Sequence, residues 1–130
     1  MNVLLIGLMG ALGAICRYGT ELLVTRLCGN SFPFGILVIN IGGCFLLGLA
    51  AEYSQTNHIY ASFFDSHVRL PISVGFLGAF TTFSTFSHDT FRQLERGQTG
   101  AALINLLSHF VLGLAAVYLG VTAIRFFSAK

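Results

Sequence analysis

Four stretches of this chain run for about a membrane's thickness with almost no charged side chain, and that pattern removes most folds from consideration. Residues 33–51 and 70–87 hold no Asp, Glu, Lys or Arg, and residues 97–124 hold none either, with one histidine, His109. Residues 1–16 are equally bare, and apolar character resumes at Leu22, Leu23 and Val24 after Arg17 and Glu21. A bilayer-spanning helix needs about 20 mostly apolar residues. The sequence therefore predicts an all-α membrane protein of four transmembrane helices, over about residues 2–25, 33–52, 70–95 and 97–125, as a single domain across 1–130. Composition agrees, since only 9% of residues are charged, against about a quarter in a typical soluble domain.

Four helices with short connections leave no length for a soluble catalytic domain, so the membrane region must carry the function. No Lys or Arg precedes the first apolar run and no cleavage context follows it, so it is expected to remain as a helix and not to act as a signal peptide. Cys16, Cys28 and Cys44 are an odd number without close pairing and read as small packing residues. His58, His67, His88 and His109 are scattered singly, so a histidine metal site would need several segments to converge. The net charge of +2 and the lack of a basic run give no footprint for nucleic acid. No Ser-His-Asp set, phosphate loop or paired intramembrane carboxylate is present, so the sequence gives no support to an enzyme.

The connections carry the orientation signal. A short CGNSF link over residues 28–32 leads to Pro33, which suits the first turn of the second helix. Glu52 marks the end of that helix, and residues 52–69 read as an interfacial segment with Tyr53 and Tyr60 at headgroup depth. Residues 88–96 continue the third helix into water. Lys and Arg in short loops set orientation. Arg69, Arg125 and Lys130 fall on one side, Arg26, Arg92 and Arg96 on the other, and Arg17 lies within the first helix. The tie predicts insertion in both orientations. Glycines at contact spacing (Gly7, Gly10 and Gly13; Gly42, Gly43 and Gly48; Gly113 and Gly120) suit close helix approach, within one chain or between two. With the charge tie, they favour an antiparallel homodimer.

The densest chemistry lies in residues 75–87, GFLGAFTTFSTFS, which set five hydroxyls and four phenylalanines at membrane depth. Thr81, Thr82, Ser84, Thr85 and Ser87 can bond to backbone groups, which lets a membrane helix break with its freed groups satisfied. A break near residues 78–81 is expected, and a continuous but softened packing helix is the plainer alternative. Phe76, Phe80, Phe83 and Phe86 would share one face of an unbroken helix. Ring edges beside hydroxyl donors attract a small anion without trapping it. Asn40, in the middle of the second helix, must meet a polar partner or water, as glue between helices or as a pore lining. Asn105 and Ser108 share a face of the last helix, with His109 beside them. Arg17 and Glu21 are spaced to pair, or Arg17 could gather anions at the mouth of a path.

These segments resemble the Fluc (CrcB) fluoride channels. The resemblance rests on GFLGAFTTFSTFS, on GALGAICRY over residues 10–18 and on NIGGCFLLG over residues 40–48, and it extends along the whole chain. It implies an antiparallel dual-topology homodimer in a bacterial plasma membrane, with two separate pathways through which cytoplasmic fluoride leaves passively. It also implies that Phe83 and Phe86 contact fluoride through their ring edges, with Asn40 as the pore amide and Thr82, Ser84 and Thr85 as nearby hydroxyls. Arg17 would stand near an aqueous vestibule, Ser108 would belong to a polar track on the last helix, and the carbonyls of Gly78 and Thr81 from both subunits would hold a central structural Na+. The sequence departs from the family pattern at Ile104, where a tyrosine is common, at Leu112, where a hydroxyl can occur, and at Ala79, which replaces a common glycine.

Two other readings share the four-helix outline. A small dual-topology proton-coupled multidrug exporter would need an intramembrane carboxylate to exchange protons. Glu21 is its one candidate if Glu52, Asp65, Asp89 and Glu95 sit at ends or in loops. A purely structural membrane subunit would transport nothing.

Overall fold

The computed structural model describes residues 2–56 and 69–128. Tyr60, His58, His67 and Asp65 of the second connection lie outside these residues, as does Lys130. All regular structure among the described residues is helical. Helix α1 is Asn2–Cys28, α2 is Phe34–Thr56, a π-helical segment covers Pro71–Leu77, α3 is Gly78–Phe80, α4 is Phe83–Glu95 and α5 is Thr99–Ser128. Three stretches, Val3–Cys28, Phe34–Gln55 and Thr99–Ser128, are long and apolar enough to cross a membrane. The run at 70–87 is the one that is interrupted.

Capping explains the helix ends. Gly29 adopts a left-handed conformation (φ 77°) and donates its amide to the Thr25 carbonyl at 2.9 Å, closing α1. Gly97 (φ 71°) does the same after α4, with its amide on Leu94 O and that of Gln98 on Gln93 O, both at 2.9 Å. Gly97 is thus the stop of α4 and not, as the apolar run suggested, the start of the last helix.

Two close-packed pairs organise the bundle. α2 packs chiefly on α5, and α1 on the π-helical segment. A Cβ on Gly48 would collide with the Val117 carbonyl, and one on Gly120 with the backbone of Phe45 and Leu49. On the other side, Gly13 lies against the Phe76 carbonyl and Gly75 against Ile6. Backbones approach this closely only where side chains are absent, and packing of this kind is a main source of helix association in lipid. A Cβ on Gly7 or Gly42 would meet nothing within 4 Å among the described residues beyond its own helix.

Glu52 corrects the sequence reading. It does not end the second helix, which continues to Thr56; it is buried, and Arg125 grips it with two bonds, Nε to Oε1 at 2.9 Å and Nη2 to Oε2 at 3.2 Å. A bidentate guanidinium meets both oxygens of a carboxylate, so Glu52 can sit within the helix and not at its end. Arg17 and Glu21 do not form the ion pair that their spacing allowed.

Candidate functional site

The third span breaks at Thr81 and Thr82. The π-helical segment ends with the Gly78 amide on Ser73 O, five residues back, the wide spacing that marks a π turn. One short turn later, both the amide and the hydroxyl of Thr81 settle on Leu77 O, at 3.0 and 2.9 Å. The backbone then extends, with φ −81°, ψ 158° at Thr81 and φ −150°, ψ 113° at Thr82. Helix α4 restarts with Thr82 as its cap, whose Oγ1 accepts the Thr85 amide at 3.2 Å. Thr82 Oγ1 also lies 3.2 Å from Ser84 Oγ and 3.0 Å from Thr85 Oγ1. The break falls at the end of the interval the sequence marked for it.

Asn40 holds this break from the neighbouring helix. Its Oδ1 accepts the Thr82 amide at 2.9 Å, and its Nδ2 donates to the Thr82 carbonyl at 3.1 Å. One side chain thus takes up the amide that loses its helical acceptor and adds a second donor to the carbonyl that, as the cap of α4, already starts that helix. Gly43, one turn further along α2, lets the Thr81 side chain press against the helix; a Cβ there would overlap it.

Two carbonyls are released by the same geometry. In an unbroken helix Gly78 O would accept the Thr82 amide, but that amide goes to Asn40. Thr81 O would accept the Thr85 amide, but that one goes to Thr82 Oγ1. Gly78 and Thr81 therefore present main-chain oxygens free of their usual helical partners, a donor type that suits a hard cation.

Around the break lies a groove of about 370 Å³, lined by Asn40, Gly78, Thr81, Thr82, Phe83 and Phe86 among others, with His109 and Phe110 on its far wall. Phe83 is 78% exposed toward it, whereas Phe86 is 7% exposed and packs with Ile36, Ile39 and Phe80. Their ring centroids are 5.7 Å apart and the ring planes are tilted by 54°. Four phenylalanines do not form the single stripe expected of a continuous helix. Phe76 and Phe80 stack before the break at 5.8 Å and 7°, and the extended step at residues 81–82 turns Phe83 and Phe86 into a separate pair.

A second, polar cavity of about 340 Å³ lies where the α1–α2 link meets the end of α4. Glu21, His88, Asp89, Arg92, Gln93 and Arg96 line it.

A CrcB-like family model, described as "CrcB-like protein, Camphor Resistance (CrcB)", matches residues 4–121. The chain belongs to the CrcB-like family. It is 41% identical over 119 residues to the "Fluoride-specific ion channel FluC" of Dehalococcoides mccartyi, covering 92% of this chain and 88% of that protein. The protein of that name from Geotalea daltonii is 40% identical over 125 residues, 96% of this chain and 98% of the relative. The one from Shewanella amazonensis is 42% identical over 119 residues, 92% of each. With three spanning helices, this CrcB-like chain is a multi-pass membrane protein.

Not every residue singled out in the sequence reaches the groove. Arg17 is half-buried on α1 and lines neither cavity; Arg92 and Arg96 provide the cations of the polar one. Ser108 is half-buried beside His109 but does not line the groove. Thr90, Gln93 and the Glu52–Arg125 pair went unrecognised in the sequence. A charge beside an apolar run reads as a boundary, and nothing local shows that a helix fifteen residues away returns to meet Thr90.

Proposed function

We propose that this CrcB-like chain is a fluoride-selective channel that lets cytoplasmic fluoride leave passively, as an antiparallel homodimer with two pathways. The observation that carries this reading is the broken-helix groove with Phe83, Phe86, Asn40 and the Thr82 hydroxyl cluster, in a chain whose relatives at about 40% identity are named fluoride-specific ion channels.

The groove's residues perform this task by offering neutral partners in place of water. Fluoride gives up hydration at the break, where the edges of Phe83 and Phe86 carry partial positive charge. Thr82 supplies a hydroxyl that can turn toward the ion, backed by those of Ser84 and Thr85, and Asn40 keeps its second N–H; Ser108, on α5 outside the groove, would extend the polar track. Among the described residues no Lys or Arg lines the groove, so binding is weak enough for release, as conduction requires. Arg92 and Arg96 gather anions at the polar cavity, with Arg17 nearer the dimer's aqueous vestibule.

The carbonyls of Gly78 and Thr81, contributed by both subunits, hold a central Na+. What supports this is that Asn40 and Thr82 take up the amides that would otherwise cover those oxygens. A cation there would tie the two breaks together and keep the extended backbone of Thr81 and Thr82 from closing into a helix. Gly7 and Gly42, where a Cβ would meet nothing among the described residues beyond its own helix, are left free for contact with the partner. The charge tie supports insertion in both orientations. A C-terminal tag found on only one side of the membrane would remove the antiparallel dimer.

The exporter reading gains no support from the relatives, and Glu52 is committed to Arg125. The test is efflux from liposomes holding the purified protein. Rapid fluoride loss with little chloride loss is expected; well-folded dimer that releases neither ion overturns the channel.

A further inference from the structure

Between the two cavities, the seam of α4 and α5 carries polar groups that the protein leaves unsatisfied. Phe86, Thr90 and Gln93 recur at helical spacing on the buried face of α4, and Asn105 and His109 face them from α5. Gln93 lines the polar cavity, while Phe86 and His109 line the groove. The stripe therefore leads from one cavity to the other, over about 10 Å at 1.5 Å per helical residue.

The hydrogen bonds along it fix their own direction. Phe86 O can only accept, so Thr90 Oγ1 donates to it at 2.8 Å and must in turn accept from Asn105 Nδ2 at 2.9 Å. That orients the Asn105 amide and leaves its Oδ1 facing into the seam without a partner, in a side chain that is fully buried. Asn105 O can only accept as well, so His109 Nδ1 donates to it at 2.9 Å and the ring lies 4.2 Å from Phe86. His109 Nε2 is buried and unbonded, with the Ile36 carbonyl near the ring, and Gln93 Oε1 is a further buried acceptor without a partner.

Buried acceptors left unmet are costly and rare, and water, which donates twice, is the partner that suits them. They do not suit a bare fluoride ion, which is itself an acceptor. We infer that the α4–α5 seam binds water at Asn105 and Gln93 and is the hydrated leg of the ion path between the Arg92/Arg96 cavity and Phe86. A water donating one hydrogen to Asn105 Oδ1 has the other to give to a passing anion, so fluoride keeps part of its shell until the rings take over. This inference rests on the channel reading for its transport half and on the seam's own chemistry for its water half.

Two measurements separate them. A crystal structure at a resolution that shows ordered water should place water within hydrogen-bond distance of Asn105 Oδ1 and Gln93 Oε1; a dry seam overturns the inference whatever the protein conducts. In liposomes, Asn105→Leu dries the seam and should lower fluoride flux about 100-fold, whereas Asn105→Ser leaves room for water and should cost at most about tenfold. A packing role gives the reverse order, because leucine fills the seam and serine leaves a void. That reverse order, or equal flux in both, overturns the hydrated leg. Gln93→Leu against Gln93→Ser repeats the contrast at the outer end, should Asn105→Leu fail to assemble. If the wild-type dimer carries no fluoride at all, the channel reading falls, and the water positions alone decide the seam.

Discussion

Two buried polar clusters stand one above the other in this molecule, and they are built in opposite ways. At the break, Asn40 returns a bond to each backbone group of Thr82, and Thr82 Oγ1 closes the start of α4. In the α4–α5 seam, Asn105 and Gln93 are more deeply buried than Asn40 but keep acceptors unmet. A membrane interior tolerates irregular backbone only when something meets its polar groups. The first cluster therefore secures the fold, and the second leaves chemistry available to what moves through it.

Phe86 belongs to both regions, since it lines the groove and stacks with His109. Phe86→Ile or Phe83→Ile should abolish fluoride flux in liposomes while gel filtration still shows dimer. Unchanged flux would show that the rings only pack. Between the two, Phe86→Ile should also lower the thermal midpoint, because Phe86 is buried in the core with Ile36 and Ile39, whereas Phe83 is exposed.

Asn40→Leu should strike the fold itself. It orphans the amide of Thr82, at a cost of about 1–3 kcal/mol when buried, and takes one of two donors from its carbonyl. A lowered unfolding midpoint with loss of dimer is expected, and a variant as stable as the parent would mean that the knot at Thr82 is dispensable. Set beside Asn105→Leu, which should lose flux before stability, it measures the division directly.

The sequence showed the first of these regions better than the second, for a physical reason. Uncharged runs reveal spans because hydrocarbon thickness fixes their length, and the TTFSTFS segment reveals a break because hydroxyls are what a broken helix needs. A lone Asn40 in an apolar run likewise announces that it must find a partner. The phenylalanine stripe misled, since a two-residue extended step resets helical phase, and periodicity assumes that no such step exists. Glu52 and Arg125 each looked like the end of a span because charge is normally a boundary; their pairing is a long-range fact. The Thr90–Asn105 bond is also tertiary, joining two helices across the Gly97 turn.

Smaller changes should sharpen the same contrast. Gly120→Ala places a Cβ against the backbone of Phe45 and Leu49, which has no flexible end to yield. It should destabilise the α2–α5 pair by about 1–3 kcal/mol, the usual cost of overpacking, seen as a lower unfolding midpoint in detergent; an unshifted midpoint would show that the helices can part. Thr82→Ala removes the cap of α4 and should cost about 1 kcal/mol. Its effect on stability should be smaller than that of Asn40→Leu, and a larger one would make the hydroxyl cluster, not the amide, the support of the break.

The proposal that this chain conducts fluoride is tested most directly by the current across a planar bilayer holding the purified dimer, with fluoride and chloride gradients set in opposite directions. The reversal potential should sit at the fluoride equilibrium potential and stay there when chloride is varied. A reversal that follows chloride, or a silent membrane with well-folded dimer present, contradicts it.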